Sequence, residues 1–147
     1  MASDGLQRDV AWRSRGAALL DRIGPAVVQT HSAGGPFGWL VADERPNLVK
    51  AIVSVEGAGF PFETLTHLPR IPILYVTGEK SGRTQGPTIV ASLKQAGCDA
   101  EDLQLKDRGI LGNGHFMMFE TNRRQVFDVI RGWIDQKLTA ASRSAGL

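Results

Sequence analysis

The sequence predicts an α/β fold, a parallel sheet of about four strands with helices on both faces. Short, continuously apolar runs rich in β-branched residues alternate with amphipathic segments of helical period. Glycine occurs 17 times in 147 residues, often directly after an apolar run, where a strand feeds a tight turn. Right-handed crossovers then bring the carboxyl ends of all strands to one edge of the sheet, where α/β proteins build their sites.

The predicted elements alternate along the chain. In the first helix, apolar residues recur at intervals of three, four and seven, and Gly24 and Pro25 end it. Pro87 occupies the first turn of a later helix. Helices are predicted at 6–23, from the turn after the first strand to before 46, at 87–97 and at 121–138. Strands are predicted at 26–30, 48–55, 71–77 and, more weakly, 103–106.

Composition narrows the function classes. The length suits one domain, 1–147. The 17 basic and 15 acidic side chains leave a net charge of +2, which predicts no nucleic-acid partner. A single cysteine, Cys98, allows no internal disulfide and no cysteine-based metal site. No apolar run reaches the roughly 18 residues of a membrane span. The first residues lack an apolar signal region, so a cytoplasmic location is expected.

The turn after the first strand, Thr30 to Gly34, reads T-H-S-A-G. It approximates the G-x-S-x-G elbow that holds a nucleophilic serine above a sheet, with threonine in place of the first glycine. A phosphate-binding loop is the weaker interpretation, because Gly34, Gly35 and Gly38 have the wrong spacing for it. Ser32 is also a favoured residue for a helix N-cap. The turn alone therefore leaves catalysis and capping open.

An acid and a histidine follow Ser32 in the order that a hydrolase of this topology needs. Glu56 comes directly after the second predicted strand, and His115 lies in a glycine-rich loop after the fourth. Ser32 and Glu56 would end neighbouring strands, about 5 Å apart across the sheet. A serine nucleophile requires a base for its proton and a carboxylate to orient that base. The order therefore predicts a Ser-Glu-His site at this edge.

Three segments together resemble the α/β-hydrolase superfamily, in its carboxylesterase-like branch. They are GPAVVQTHSAGGPFGWLVADERP, KAIVSVEGAGFPF and GNGHFMMFETNRRQVFDVIRGWI, and the resemblance spans about residues 15–137. It implies that Ser32 is the nucleophile, His115 the base, Glu56 the orienting acid and the backbone N–H of Ala33 an oxyanion donor. It also implies a small-molecule carboxylic ester as substrate and no cofactor or metal.

Two alternatives remain open. Glu79, after the third predicted strand, occupies the other position at which such hydrolases carry their acid. The resembling fold has an eight-stranded sheet, which needs roughly 240 residues, so this chain corresponds to its second half. A non-catalytic remnant or interaction module is therefore the alternative to an esterase. Residues 26–30 would then form an exposed sheet edge, open to self-association or to a partner strand.

Overall fold

In a computed structural model, the described residues, 2–59 and 66–145, form four α-helices and four strands. The first helix, α1, precedes a strand and leads the chain into the sheet. The helices are α1 (Ala2–Ile23), α2 (Gly35–Glu44), α3 (Gly86–Gln95) and α4 (Arg123–Ala145). The strands are β1 (Ala26–His31), β2 (Val49–Val55), β3 (Ile73–Thr77) and β4 (Ala100–Gln104).

The four strands form one parallel sheet in the order β1-β2-β3-β4. Thr30 pairs with Ser54 and His31 with Val55, so β1 and β2 end at the same level. Val55 in turn pairs with Val76 of β3. The residues that directly follow these strands therefore meet at one edge, which confirms the predicted fold class.

Helices cover both faces of the sheet. On one face, Trp39 of α2 and Leu93 of α3 pack against buried strand residues such as Ile52. On the other face, Ile130 and Trp133 of α4 pack against the alternate strand residues. The alternation follows from the strand period of two, which points successive side chains to opposite faces.

Several predicted strand boundaries are wrong, although β1 and β2 differ by only one residue each, ending at His31 and starting at Val49. β4 starts at Ala100 rather than 103, and the predicted last two residues, 105–106, belong to a single 3₁₀ turn, Leu105–Arg108. β4 lies at the sheet edge, where the charged residues Glu101 and Asp102 are tolerated although they interrupt an apolar run. β3 starts at Ile73, because Pro72 has no N–H for the ladder.

The helix boundaries also differ from expectation. The first helix starts at Ala2 instead of 6. α4 runs from Arg123 to Ala145 instead of from 121 to 138. Its added residues are mostly small or polar, and nothing in their composition breaks a helix.

The β1 side of the molecule is apolar. Within the described ranges β1 pairs only with β2, and α1 packs on α2 rather than along the free edge. A groove of about 540 Å³ separates α1 from β1, and Leu19 and Ile23 on its rim are 56% and 61% exposed. Among residues 2–59 and 66–145, no helix combines the length and apolarity needed to cross a membrane.

Candidate active site

Ser32 occupies a strained turn at the end of β1. His31 is still extended, whereas Ser32 has a φ of +53°, a left-handed conformation that L-residues adopt at a cost of roughly 1–2 kcal/mol. The amide of Ala58 donates to the Ser32 carbonyl oxygen at 2.8 Å and helps to hold the turn. No side-chain hydrogen bond caps the short 3₁₀ turn Ser32–Gly34 or α2. The capping interpretation of Ser32 is therefore wrong.

Two glycines of the turn and α2, Gly35 and Gly38, allow close packing. A Cβ on Gly38 would lie 2.5 Å from Cγ2 of Thr30, and one on Gly35 would lie 3.0 Å from the carbonyl oxygen of Ala58. α2 can thus cross β1 closely only because Gly38 has no side chain. Thr30, which stands where the elbow motif has its first glycine, fits because the residue it faces on α2 is Gly38.

Glu56 repeats the backbone geometry of Ser32 on the next strand. It follows β2 directly, has a φ of +52° and is 0% exposed. The amide of Gly78 donates to Oε1 at 2.6 Å, and Oε2 lies 3.2 Å from Nδ1 of His115. A fully buried carboxylate needs such partners, because burial without them costs several kcal/mol.

His115 joins the two strand ends. Its Nε2 lies 2.8 Å from Oγ of Ser32, and its Nδ1 faces Glu56. The ring can take a proton from the serine through Nε2 when Nδ1 carries the proton that faces the glutamate. The structure thus brings Ser32, Glu56 and His115 into one connected arrangement, which suits nucleophilic attack by the serine oxygen.

Glu79 lies in the loop between β3 and α3 and contacts another part of the loop that carries His115. Its Oε2 accepts a hydrogen bond from the amide of Gly112 at 2.8 Å, and Oε1 pairs with Lys80 at 3.1 Å. The Gly112 hydrogen bond, followed by that of Lys80, lowers the pKa of Glu79. Of the two predicted acids, Glu56 contacts the His115 ring, and Glu79 contacts the backbone of the histidine loop.

A polar network that sequence reasoning largely missed holds the histidine loop. Asn113 is completely buried and exchanges two hydrogen bonds with Asn122, of 2.7 and 2.9 Å. Glu120 accepts hydrogen bonds from the Asn113 amide and, at 2.7 Å, from the backbone N–H of Gly114. In the sequence, the one sign of this network was the position of Asn113 between two glycines. Nothing in the pattern pointed to Glu120 or Asn122.

Arg83 is a second residue that the sequence did not single out. Its Nε donates to Nδ1 of His115 at 3.2 Å and lies 3.5 Å from Oε2 of Glu56. Its side chain is 31% exposed, in the loop between β3 and α3. A lone arginine in a polar loop has no periodic signature, so only the fold places it here.

Aromatic rings pack beside the residues next to Ser32, and a cleft lies beside Ala33. The His31 ring lies 4.6 Å from that of His115, and its Nε2 lies 2.7 Å from the His115 carbonyl oxygen. Phe116 packs on both histidines and is 56% exposed. Exposed Ala33, next to Ser32, lines a cleft of about 560 Å³ with Phe37 and others. No group of three or more potential metal ligands occurs among the described residues.

Known lipases, esterases and hydrolases are similar to this chain in sequence or structure. No protein-family model matches the chain. A fungal protein named "Probable secreted lipase phiG" (Fungal sp., strain ATCC 74256) is 33% identical over 82% of this chain and 49% of its own length. A solved bacterial esterase is 30% identical with a TM-score of 0.73, over 82% of this chain and 41% of its own. The chain thus spans about half the length of these relatives.

A third protein supports the fold alone. A predicted CIB-like hydrolase from Thermoplasma acidophilum is 16% identical with a TM-score of 0.54, over 83% of this chain and 59% of its own. At that identity the likeness concerns the order and packing of helices and strands.

Proposed function

The chain has an esterase-like fold of the α/β-hydrolase superfamily, and on that premise we propose that it is a serine hydrolase of small carboxylic esters. The observation that supports this most directly is the contact of 2.8 Å between Nε2 of His115 and Oγ of Ser32. Burial of Glu56 beside Nδ1 supplies the orienting acid that this pair needs. No cofactor takes part in the proposed reaction.

The proposed reaction has two halves. Oγ of Ser32 attacks the ester carbonyl while Nε2 of His115 takes its proton, and Glu56 stabilises the imidazolium that forms. The same proton then passes to the leaving alkoxide, so the alcohol departs and an acyl-enzyme remains. In the second half, His115 takes a proton from water while the water oxygen attacks the acyl carbon. The proton then passes from His115 to Oγ of Ser32, and the carboxylic acid leaves.

Charge develops on the carbonyl oxygen in both halves. The backbone N–H of Ala33, the residue after the nucleophile, is one proposed donor to it. The resembling fold takes a second donor from a loop in its first half. Loss of one such donor costs about 10²–10³ in rate. The second candidate is a non-catalytic interaction module.

A fluorophosphonate probe separates the two candidates, because it reacts covalently with activated serines. We expect it to label the parent protein and to leave Ser32→Ala unlabelled. Ser92→Ala is the matched control, since Ser92 hydrogen-bonds to Thr88 within its own helix, α3. Labelling of the control together with loss in Ser32→Ala would support the hydrolase. A folded parent that takes up no probe would favour the non-catalytic module.

Substrate, partner and location stay predictions. A panel of short- and long-chain esters addresses the acyl group, since the cleft at Ala33 is partly lined by apolar residues. We further propose that the β1 edge pairs with a second copy or with a partner strand. The cytoplasmic location expected from the sequence is untested, and the fungal relative is named as secreted.

A further inference from the structure

Nδ1 of His115 lies close to two side chains, and it can form a hydrogen bond with only one of them at a time. Nδ1 of His115 lies 3.2 Å from Nε of Arg83 and 3.2 Å from Oε2 of Glu56. Arginine is a donor only, so Nδ1 must offer its lone pair to Arg83. The carboxylate of Glu56 is an acceptor, so toward it Nδ1 must offer a proton. These two hydrogen bonds therefore belong to two different tautomers of the ring.

The two tautomers have opposite consequences at Ser32. With the proton on Nδ1, Nε2 has a free lone pair and can accept the serine proton. With Arg83 on Nδ1, a neutral ring carries its proton on Nε2, which then donates to the serine oxygen and cannot act as its base. The position of Arg83 thus determines which way the hydrogen bond between Ser32 and His115 runs.

We propose that Arg83 is a positioning residue that competes with His115 for Glu56 and holds the base in its inactive tautomer until it releases Nδ1. This inference rests on the proposed hydrolase function and adds a control on the base.

The loop between β3 and α3 brings Arg83 to this position. Its backbone N–H donates to Oγ of Ser81 at 3.2 Å, and that hydroxyl donates to the carbonyl oxygen of Gly78 at 3.0 Å. The amide of Gly78 in turn holds Glu56. The carboxylate and its two competing partners are therefore held on one connected set of contacts.

Other charged and titratable groups near His115 have their own partners. Glu79 pairs with Lys80, and Glu120 accepts from Asn113 and Gly114. The neutral or protonated ring of His31 stacks beside His115 and contacts its carbonyl oxygen. Further out, the cleft beside Arg83 is lined by Asp102, Lys106 and Asp107. Within the described part of the chain, Arg83 is the cation in recorded contact with both Nδ1 and Glu56.

The test compares three variants in the full 147-residue chain. Arg83→Gln removes both the charge and the Nε–H, and Arg83→Lys keeps the charge but loses the directed Nε–H. Lys80→Gln is the matched control, since Lys80 carries the same charge on the same loop, is 67% exposed and pairs with Glu79 instead. Two readouts are measured: kcat/KM and the ¹⁵N shifts of the His115 ring, which report the protonated nitrogen. Thermal unfolding checks that each variant is folded.

Arg83→Gln is expected to increase the fraction of the ring that is protonated at Nδ1, because the donor that occupies the Nδ1 lone pair is lost. The value of kcat/KM should stay level or rise, since more of the ring can then accept the serine proton. Arg83→Lys should also increase that fraction, because it lacks the directed Nε–H. Lys80→Gln should change neither the fraction nor kcat/KM.

An unchanged tautomer in Arg83→Gln would overturn the inference, and so would a loss of tenfold or more in kcat/KM. The ¹⁵N readout needs no turnover. If the parent hydrolyses no ester, the proposed function fails. A gain of Nδ1 protonation in Arg83→Gln would still support the competition at Glu56 in that case. An unchanged protonation of the ring would overturn the competition.

Discussion

Ser32 and Glu56 share one backbone conformation on adjacent strands. Their φ angles are +53° and +52°, and they are the non-glycine residues with positive φ within the described ranges. Each directly follows its strand, and the preceding residues His31 and Val55 pair across the sheet. Strain of this kind persists only where the surroundings enforce it, and it concentrates at functional sites. Here it turns two side chains toward the same histidine.

The assignment of the acid predicts unequal effects at the two glutamates. Glu56→Gln is expected to lower kcat by about 10³–10⁴, because an amide at this point stabilises the wrong tautomer and no imidazolium. Glu79→Gln should keep most of the activity, since Glu79 contacts the Gly112 amide rather than the ring. Steady-state kinetics on one ester measures both variants.

Circular dichroism and thermal unfolding serve as controls for that pair. The pair is informative only if both variants fold like the parent. A large loss at Glu79 alone would move the acid to the third strand and contradict the role of Glu56. Similar large losses at both would contradict the expected difference.

Close packing at the turn predicts a destabilisation at Gly38. Gly38→Ala places a Cβ 2.5 Å from Cγ2 of Thr30, and overpacking of this kind costs about 1–3 kcal/mol. Gly132→Ala is the matched helical control, since a Cβ there meets nothing within 4 Å. That variant is expected to gain about 0.5–1 kcal/mol from helix propensity. Urea unfolding gives both free energies.

A second substitution tests the cause. Thr30→Ser removes Cγ2 and keeps a hydroxyl, so in the Gly38→Ala background it should recover about half or more of the loss. Additive losses in the double variant would show that the destabilisation arises elsewhere in the turn.

Asp43 predicts a pH-dependent contribution to stability. The residue is 7% exposed and accepts hydrogen bonds from the amides of Thr66 and His67 and from Arg13. Burial opposes its ionisation, but these hydrogen bonds outweigh burial and lower its pKa below the ordinary 3.8. With a lowered pKa, the stabilisation is complete above that ordinary value and is lost as pH falls through the lower folded value.

Asp43→Asn should therefore cost about 1–3 kcal/mol at pH 7, with a smaller difference from the parent below about pH 3.8. Urea unfolding at pH 7 and pH 3 measures that difference. Asp135→Asn is the control, since Asp135 is 69% exposed and lies 3.9 Å from Arg131, a pair worth under about 0.5 kcal/mol. A difference that is the same at both pH values would contradict the role of the carboxylate.

The sheet and the turn after β1 could be predicted because each has a local signature. Apolar runs marked three strands, and glycine with Ser32 marked the turn. β4 was placed three residues late, since edge strands tolerate charges such as Glu101 and Asp102 that apolar patterning treats as breaks. Local pattern thus located the apolar strands, including the edge strand β1, better than the charged edge strand β4.

The contacts of the site depended on the fold. Glu56 and Glu79 both follow a strand, and sequence alone could not decide which of them contacts His115. Arg83 reaches the histidine loop only through tertiary structure, across 32 positions of sequence. Long-range side-chain pairs leave no periodic trace in a single sequence, so these residues required coordinates.

The last prediction concerns the free edge of β1. Unpaired backbone groups on an apolar edge strand are a template for pairing with another chain. Here the strand A-V-V-Q-T-H carries no lysine or proline that would block such pairing. Exposed Leu19 and Ile23 of α1 continue the apolar surface across the groove. We therefore expect the 147-residue chain to self-associate at micromolar concentration, as measured by sedimentation velocity.

Two lysine substitutions locate the contact. Leu19→Lys places a charge on the groove and should weaken association at least tenfold, because burying an unpaired charge is costly. Phe127→Lys is the matched control, since Phe127 is equally exposed at 56% but lies on α4, on the opposite face of the sheet. Equal weakening by both would indicate non-specific apolar association rather than pairing at β1. A monodisperse, cooperatively unfolding monomer would show that the β1 edge does not recruit a second copy.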